Sequence, residues 1–151
     1  MLLLQIVCKK TNNNLIIEDV FFDKVRVWLA YKQFFDFGIR LEKVRTAEFI
    51  NLPEKDKTKF FHEFYSKVDD MVGSGLITDG YVYFCMQSLT NGHTDSDTCS
   101  DILSVFRRNK EDILTDFGKN IDIVINFYNL LKDCVEYNSE LEWSLWENST
   151  V

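Results

Sequence analysis

A single proline and six glycines leave too little material for a Pro- or Gly/Ser-rich linker, and no internal repeat divides the 151 residues. One domain spanning 1–151 is therefore expected, long enough to bury about 70% of its unfolded surface without disulfides or metal. Long apolar runs are missing as well. The opening "MLLLQIVCKK" holds seven apolar residues, and its lysines follow them where a secretory signal would place basic residues first. Nothing else approaches the roughly 18 uninterrupted apolar residues of a membrane span, so a cytoplasmic protein with no membrane partner is expected. The four cysteines, at 8, 85, 99 and 134, form no CxxC pair. That spacing signals neither a zinc site nor a disulfide framework, and reduced, mostly buried thiols are the simpler reading.

Catalytic patterns are equally scarce. "HEFYS" at 62–66 begins like the zinc-protease helix HExxH, but Ser66 stands where the second histidine must lie one helical turn on. "DSDTCSD" puts Asp95, Asp97 and Asp101 at positions 1, 3 and 7 of a calcium loop, yet Ser100 replaces the turning glycine and Phe106 the bidentate glutamate. One of residues 95–98 is instead expected to cap a helix. "GSGLITDG" lacks the Lys-Ser/Thr of a phosphate loop, and His62 and His93, the only histidines, have no local nucleophile partner. Dispersed carboxylates can pair in a fold, but nothing selects a pair. No enzyme, metal or cofactor is expected.

What is present is apolar and aromatic: 46% hydrophobic residues, including 13 Phe. Helical spacing of Phe21, Val25, Trp28, Leu29 and Phe35 predicts a helix in 15–37, with Asp19 at its start and Gly38 as its stop. Phe37, Ile39 and Leu41 alternate like a strand. "LLLQIVC" also reads as a strand, and with the turn "KKTNNN" it gives a small N-terminal hairpin. A second helix follows Asn51, taken as its cap, and carries Phe60, Phe61, Phe64, Val68, Met71 and Val72 on one face. Segment 81–89 fits strand or helix, and "TNGHTDSD" reads as a loop. A helix from Thr98 to Gly118 is expected to break near "FRRNK", where Arg107 and Glu111 have salt-bridge spacing. The most apolar helix, 119–135, shows two apolar faces. The fold class is mainly α, a single compact helical domain around that buried central helix with the hairpin beside it; α+β is the alternative.

Charge supplies the functional signal. Residues 1–67 hold 12 basic and 9 acidic side chains, residues 68–151 only 5 basic against 15 acidic, for a net charge of −7. Such a balance disfavours nucleic acid, which needs clustered Lys and Arg, and favours a basic protein partner. The acid surplus includes "EYNSELEWSLWEN", residues 136–148. Period two would make it a strand with Leu141, Trp143 and Leu145 inward. The capping box Ser139-x-x-Glu142 instead favours a short helix, and that is the expectation. Partly exposed Trp143 and Trp146 would then anchor a partner within a field formed by Asp133, Glu136, Glu140, Glu142 and Glu147. The terminal "NSTV" matches a PDZ-binding pattern, a weak signal.

In size, net charge and lack of a catalytic motif the chain resembles the immunity proteins that bacteria pair with nuclease-type toxins, a likeness of character without a shared motif. The resemblance implies a small acidic inhibitor that covers the active surface of a basic toxin domain. The alternative expectation is a viral helical host-modulating protein that holds a partner helix in a groove.

Overall fold

The computed structural model describes residues 1–147 and is mainly helical, with one small antiparallel sheet. The N-terminal hairpin is present: β1 (Leu3–Cys8) pairs with β2 (Asn14–Glu18). Alternation sends Leu4, Ile6 and Cys8 into the core. Asn12 turns the chain with φ +63°, a conformation that asparagine tolerates better than most residues. The hairpin is completed by two strands from far along the chain. β3 is Asn91–Thr94 and β4 is Leu141–Leu145, giving the order β2-β1-β4-β3. The expected loop at 90–97 is thus partly an edge strand, and where a short helix was expected within 136–148 the chain forms the central strand Leu141–Leu145.

Residues 15–18 belong to β2, so the first helix is shorter than the spacing predicts: α1 spans Asp19–Gln33. Gly38 does not stop it. α1 ends before Phe34, and α2 (Phe35–Lys43) follows, so Phe37, Ile39 and Leu41 are helical and not a strand. Phe37 and Leu41, one turn apart, are buried, whereas Ile39 is exposed. Gly38 serves packing: a Cβ there would lie 2.4 Å from Cγ and 2.6 Å from Cα of Tyr31, so only glycine lets α1 and α2 cross this closely. α3 (Ala47–Ile50) is capped by Thr46 and closed by Asn51, which therefore does not cap α4 (Glu54–Gly73) as expected. α4 lays Phe60 and Phe61 against Phe49, and Phe64 against Phe37. The first six residues of segment 81–89 are helical, in α5 (Asp79–Met86), which is capped by Thr78.

The second half follows its periodicity more closely. α6 (Ser96–Arg108) is capped by Asp95, whose Oδ1 accepts from Thr98 N at 2.8 Å. It breaks at Asn109 into α7 (Lys110–Phe117), as "FRRNK" implied. α8 (Ile121–Glu136) packs on α6 with one face and on β1 and β2 with another, burying Val124, Phe127, Leu130, Leu131 and Cys134. Phe22 of α1 sits edge-on to Phe84, Phe127 and Trp143, joining α1, α5, α8 and β4 in one core. No helix among the described residues is long and apolar enough to cross a membrane.

One charged group enters that core. Arg26 of α1 is 1% exposed; its Nη1 donates to the carbonyls of Phe84 (3.2 Å) and Gln87 (2.8 Å) and its Nη2 to Asp23 (3.2 Å). Asp23 also accepts two bonds from Arg45, at 3.0 and 3.1 Å. Burial on its own would raise the Asp23 carboxyl, but the hydrogen bonds and charges of Arg45, then Arg26, outweigh it and hold the group below its usual range. The network clamps α1, α5 and the segment after α2 around one carboxylate.

Candidate functional site: an acidic end

α8 ends in a reversal that builds the surface. Asn138 takes φ +51°, and Ser139 N donates back to Cys134 O at 2.8 Å, the left-handed closure that commonly ends a helix. Ser139 is buried: its Oγ accepts from Lys10 N at 3.0 Å and donates to Glu140 O at 3.0 Å. The serine that suggested a helix cap therefore stitches the start of β4 to the turn after β1. Asn13 Nδ2 donates to Asp133 Oδ2 at 2.9 Å, and Lys9 Nζ stands 3.3 Å from Glu142 and 3.6 Å from Glu140. Bonding and attraction to Glu142, then Glu140, push the Lys9 ammonium above its ordinary value.

The start of α6 joins this end. Ser96 Oγ donates to Cys134 O at 3.2 Å, seating the first turn of α6 against the last turn of α8. The β3–β4 register, Thr94 opposite Leu141, carries Asp95 to a place beside Glu140. Exposed Asp95 and Asp97 thus reach the same end as Asp133, Glu136, Glu140 and Glu142. Sequence reasoning assigned them to capping alone, and only the sheet register reveals the juxtaposition. Apolar surface lies among the carboxylates: Tyr137 is 51% and Val135 37% exposed.

Three expected site residues stand differently. Trp143 is not an exposed anchor. It is 1% exposed, its Nε1 donates to Ser88 O at 3.0 Å, and its ring meets Phe22 at 5.3 Å and Phe84 at 5.6 Å. Gly92 of β3 makes room, since a Cβ there would come within 2.2 Å of the indole. Glu142 and Ser144 flank Trp143 in sequence but face away from it, because side chains alternate along a strand. Trp146 is half-buried, and its N–H extends the β4 ladder to Leu3 O at 3.0 Å. Trp146 and exposed Glu147 follow β4 at its far end, about 20 Å along the chain from Glu140. They are outside the acidic end. The PDZ-like "NSTV" lies outside the described residues.

Other reactive side chains are arranged for packing. His62 and Glu63 lie exposed on α4 with Ser66. Cys8, Cys99 and Cys134 are all buried and unpaired as disulfides, Cys134 Sγ donates to Glu140 O at 3.8 Å, and the neighbouring Cys99 thiol, then burial, raises the Cys134 thiol. Cys85, buried against Arg26 O, is pushed up to about 12 by burial. Cys85 and Cys134 therefore stay protonated and are poor nucleophiles. Among the described residues no group of three or more His, Cys, Asp or Glu could hold a metal ion. The chain matches no protein-family model, no curated protein and no solved structure.

Proposed function

We propose that the protein is a non-enzymatic binding module whose acidic end covers a basic surface on a partner protein, in the manner of an immunity protein that neutralises a nuclease-type toxin. The observation that carries this reading is the last turn of α8. It holds Asp133 and Glu136 with no base, at the end of a helix that already bears partial negative charge. Each such carboxylate costs about 0.3–1 kcal/mol of stability, so the arrangement runs against the fold's own interest. Among the described residues Glu136 forms no ion pair. A partner's Lys and Arg would supply the missing cations, with Tyr137 and Val135 as the apolar contact between them. The cytoplasm is the compartment that suits four buried free thiols.

The test separates binding from folding. Glu136→Lys places a cation where the helix dipole favours one, so the variant should be more stable by about 0.3–1 kcal/mol. The same change should slow association with a basic partner captured from the source cells by about tenfold. A variant that is more stable and binds equally well contradicts the reading, as does the capture of only acidic or neutral proteins.

A further inference from the structure

The run "FRRNK" is the one basic cluster in the acidic half of the chain, and the acidic end does not use it. Arg107 and Glu111 do not form the salt bridge their spacing allows, because α6 ends at Arg108 and α7 restarts at Lys110. Asn109 makes the break: its N–H bonds back to Val105 and Phe106, while its carbonyl accepts from Asp112 and Ile113. The kink sets Arg107 and Lys110 on the rim of a groove of about 570 Å³ walled by Phe106, Ile113, Val124 and Ile125. Arg107 Nε donates to Tyr128 Oη at 3.0 Å, and its guanidinium lies 5.9 Å from the centre of that ring. This fixes the fork and leaves its terminal N–H groups for a carboxylate. Among the described residues neither Arg107 nor Lys110 makes an ion pair, despite the surplus of acids around them.

We propose that this groove holds an amphipathic helix of a partner protein, with Leu- or Phe-type anchors in the groove and carboxylates on Arg107 and Lys110. Charge selects the occupant: two unpaired cations at the rim of an apolar floor match an acidic flank and repel a basic one. Shape selects a helix. Ile125 on the groove is 46% exposed, whereas a small ligand buries most of its surface and a docked helix buries one stripe. Phosphate backbones require an extended basic surface, and here Glu111 and Asp112 follow Lys110 at once. The groove lies at the C-terminal end of α6, roughly 20 Å from Asp95 and Asp97, and the cations on its rim give it the sign opposite to theirs.

Two synthetic amphipathic helices test the inference. They share one leucine stripe, the first flanked by glutamates and the second by lysines, and both are titrated into the full chain while amide NMR shifts are followed. The glutamate peptide should perturb Ile113, Ile125 and Tyr128 and bind there at least about tenfold more tightly than the lysine peptide. Arg107→Glu with Lys110→Glu, both exposed, should reverse that preference, and Ile125→Asp should abolish groove binding. Equal binding of the two peptides in the groove, or no groove shifts from the glutamate peptide at about 1 mM, overturns the proposal. So does dodecanoate, if it reproduces the shifts and displaces the peptide, since the groove then serves a small amphiphile.

Discussion

Trp143→Ala should cost about 3–5 kcal/mol, a large part of the 5–15 kcal/mol that holds a typical domain together. The indole is 1% exposed and fills the space between Phe22, Phe84 and the glycine at 92, so its removal leaves a cavity that packed rings cannot collapse into. Ser88 O also loses its donor. For a chain of this length the loss corresponds to a melting point lower by roughly 10–15 °C. Trp143→Phe should lose less, since it keeps most of the ring volume. Trp146→Ala, at a half-buried site, should lose far less again. Thermal unfolding of the three variants checks the order. A Trp143→Ala protein as stable as the parent would restore the surface role that the sequence suggested and the structure denies.

Asp23→Ala should be comparably severe, at about 3–5 kcal/mol, because it strands the Arg26 guanidinium in the core without its counter-charge. Arg26 Nε already lacks a hydrogen-bond partner, so the site has little reserve. The pH dependence has a definite sign. The folded Asp23 carboxyl sits below its usual value of 3.8, so its contribution is fully present above that value and disappears as pH falls through the folded one. The stability gap between parent and Asp23→Ala should be flat from about pH 5 to 7 and close only below about pH 4. Denaturant unfolding at several pH values measures it. A gap that instead closes above pH 5 would point to another group.

The elements that were legible are those whose period and end chemistry agree. α8 carries an unbroken 3.6 pattern, Asp95 caps α6, and Asn109 with its basic neighbours marks the break into α7. The misread elements are those where one signal spoke for the wrong neighbour. The Ser139–Glu142 spacing imitates a capping box, but Ser139 bonds to Lys10, 129 residues away in sequence, and no local rule sees that partner. β3 is a short polar edge strand, and Asn91-Gly92-His93-Thr94 has no apolar alternation to report. Gly92 was its one signal, a glycine set where a large ring approaches. Phe37 and Leu41 fit a strand and a helix equally over so short a run, and close crossing with Tyr31 decided for the helix.

The candidate site was legible in part for the same reason. The acid surplus of residues 68–151 was visible from composition, and Asp133, Glu136, Glu140 and Glu142 do share one end of the molecule. Lys9 and Asn13 came from the opposite charge half, and Asp95 arrived through strand register. The anchor was misplaced because flanking Glu142 and Ser144 describe the opposite face of a strand from Trp143. Exposed Tyr137, one residue beyond α8, is the aromatic that the acidic end presents.

In the proposed function this acidic end recruits a basic partner by charge. Its most direct test is the association rate of the captured partner as a function of ionic strength. Electrostatic steering predicts a rate that falls at least about tenfold between roughly 0.01 and 0.5 M salt, with a weaker dependence in Glu136→Lys. An association rate indifferent to salt, identical in parent and variant, would contradict it.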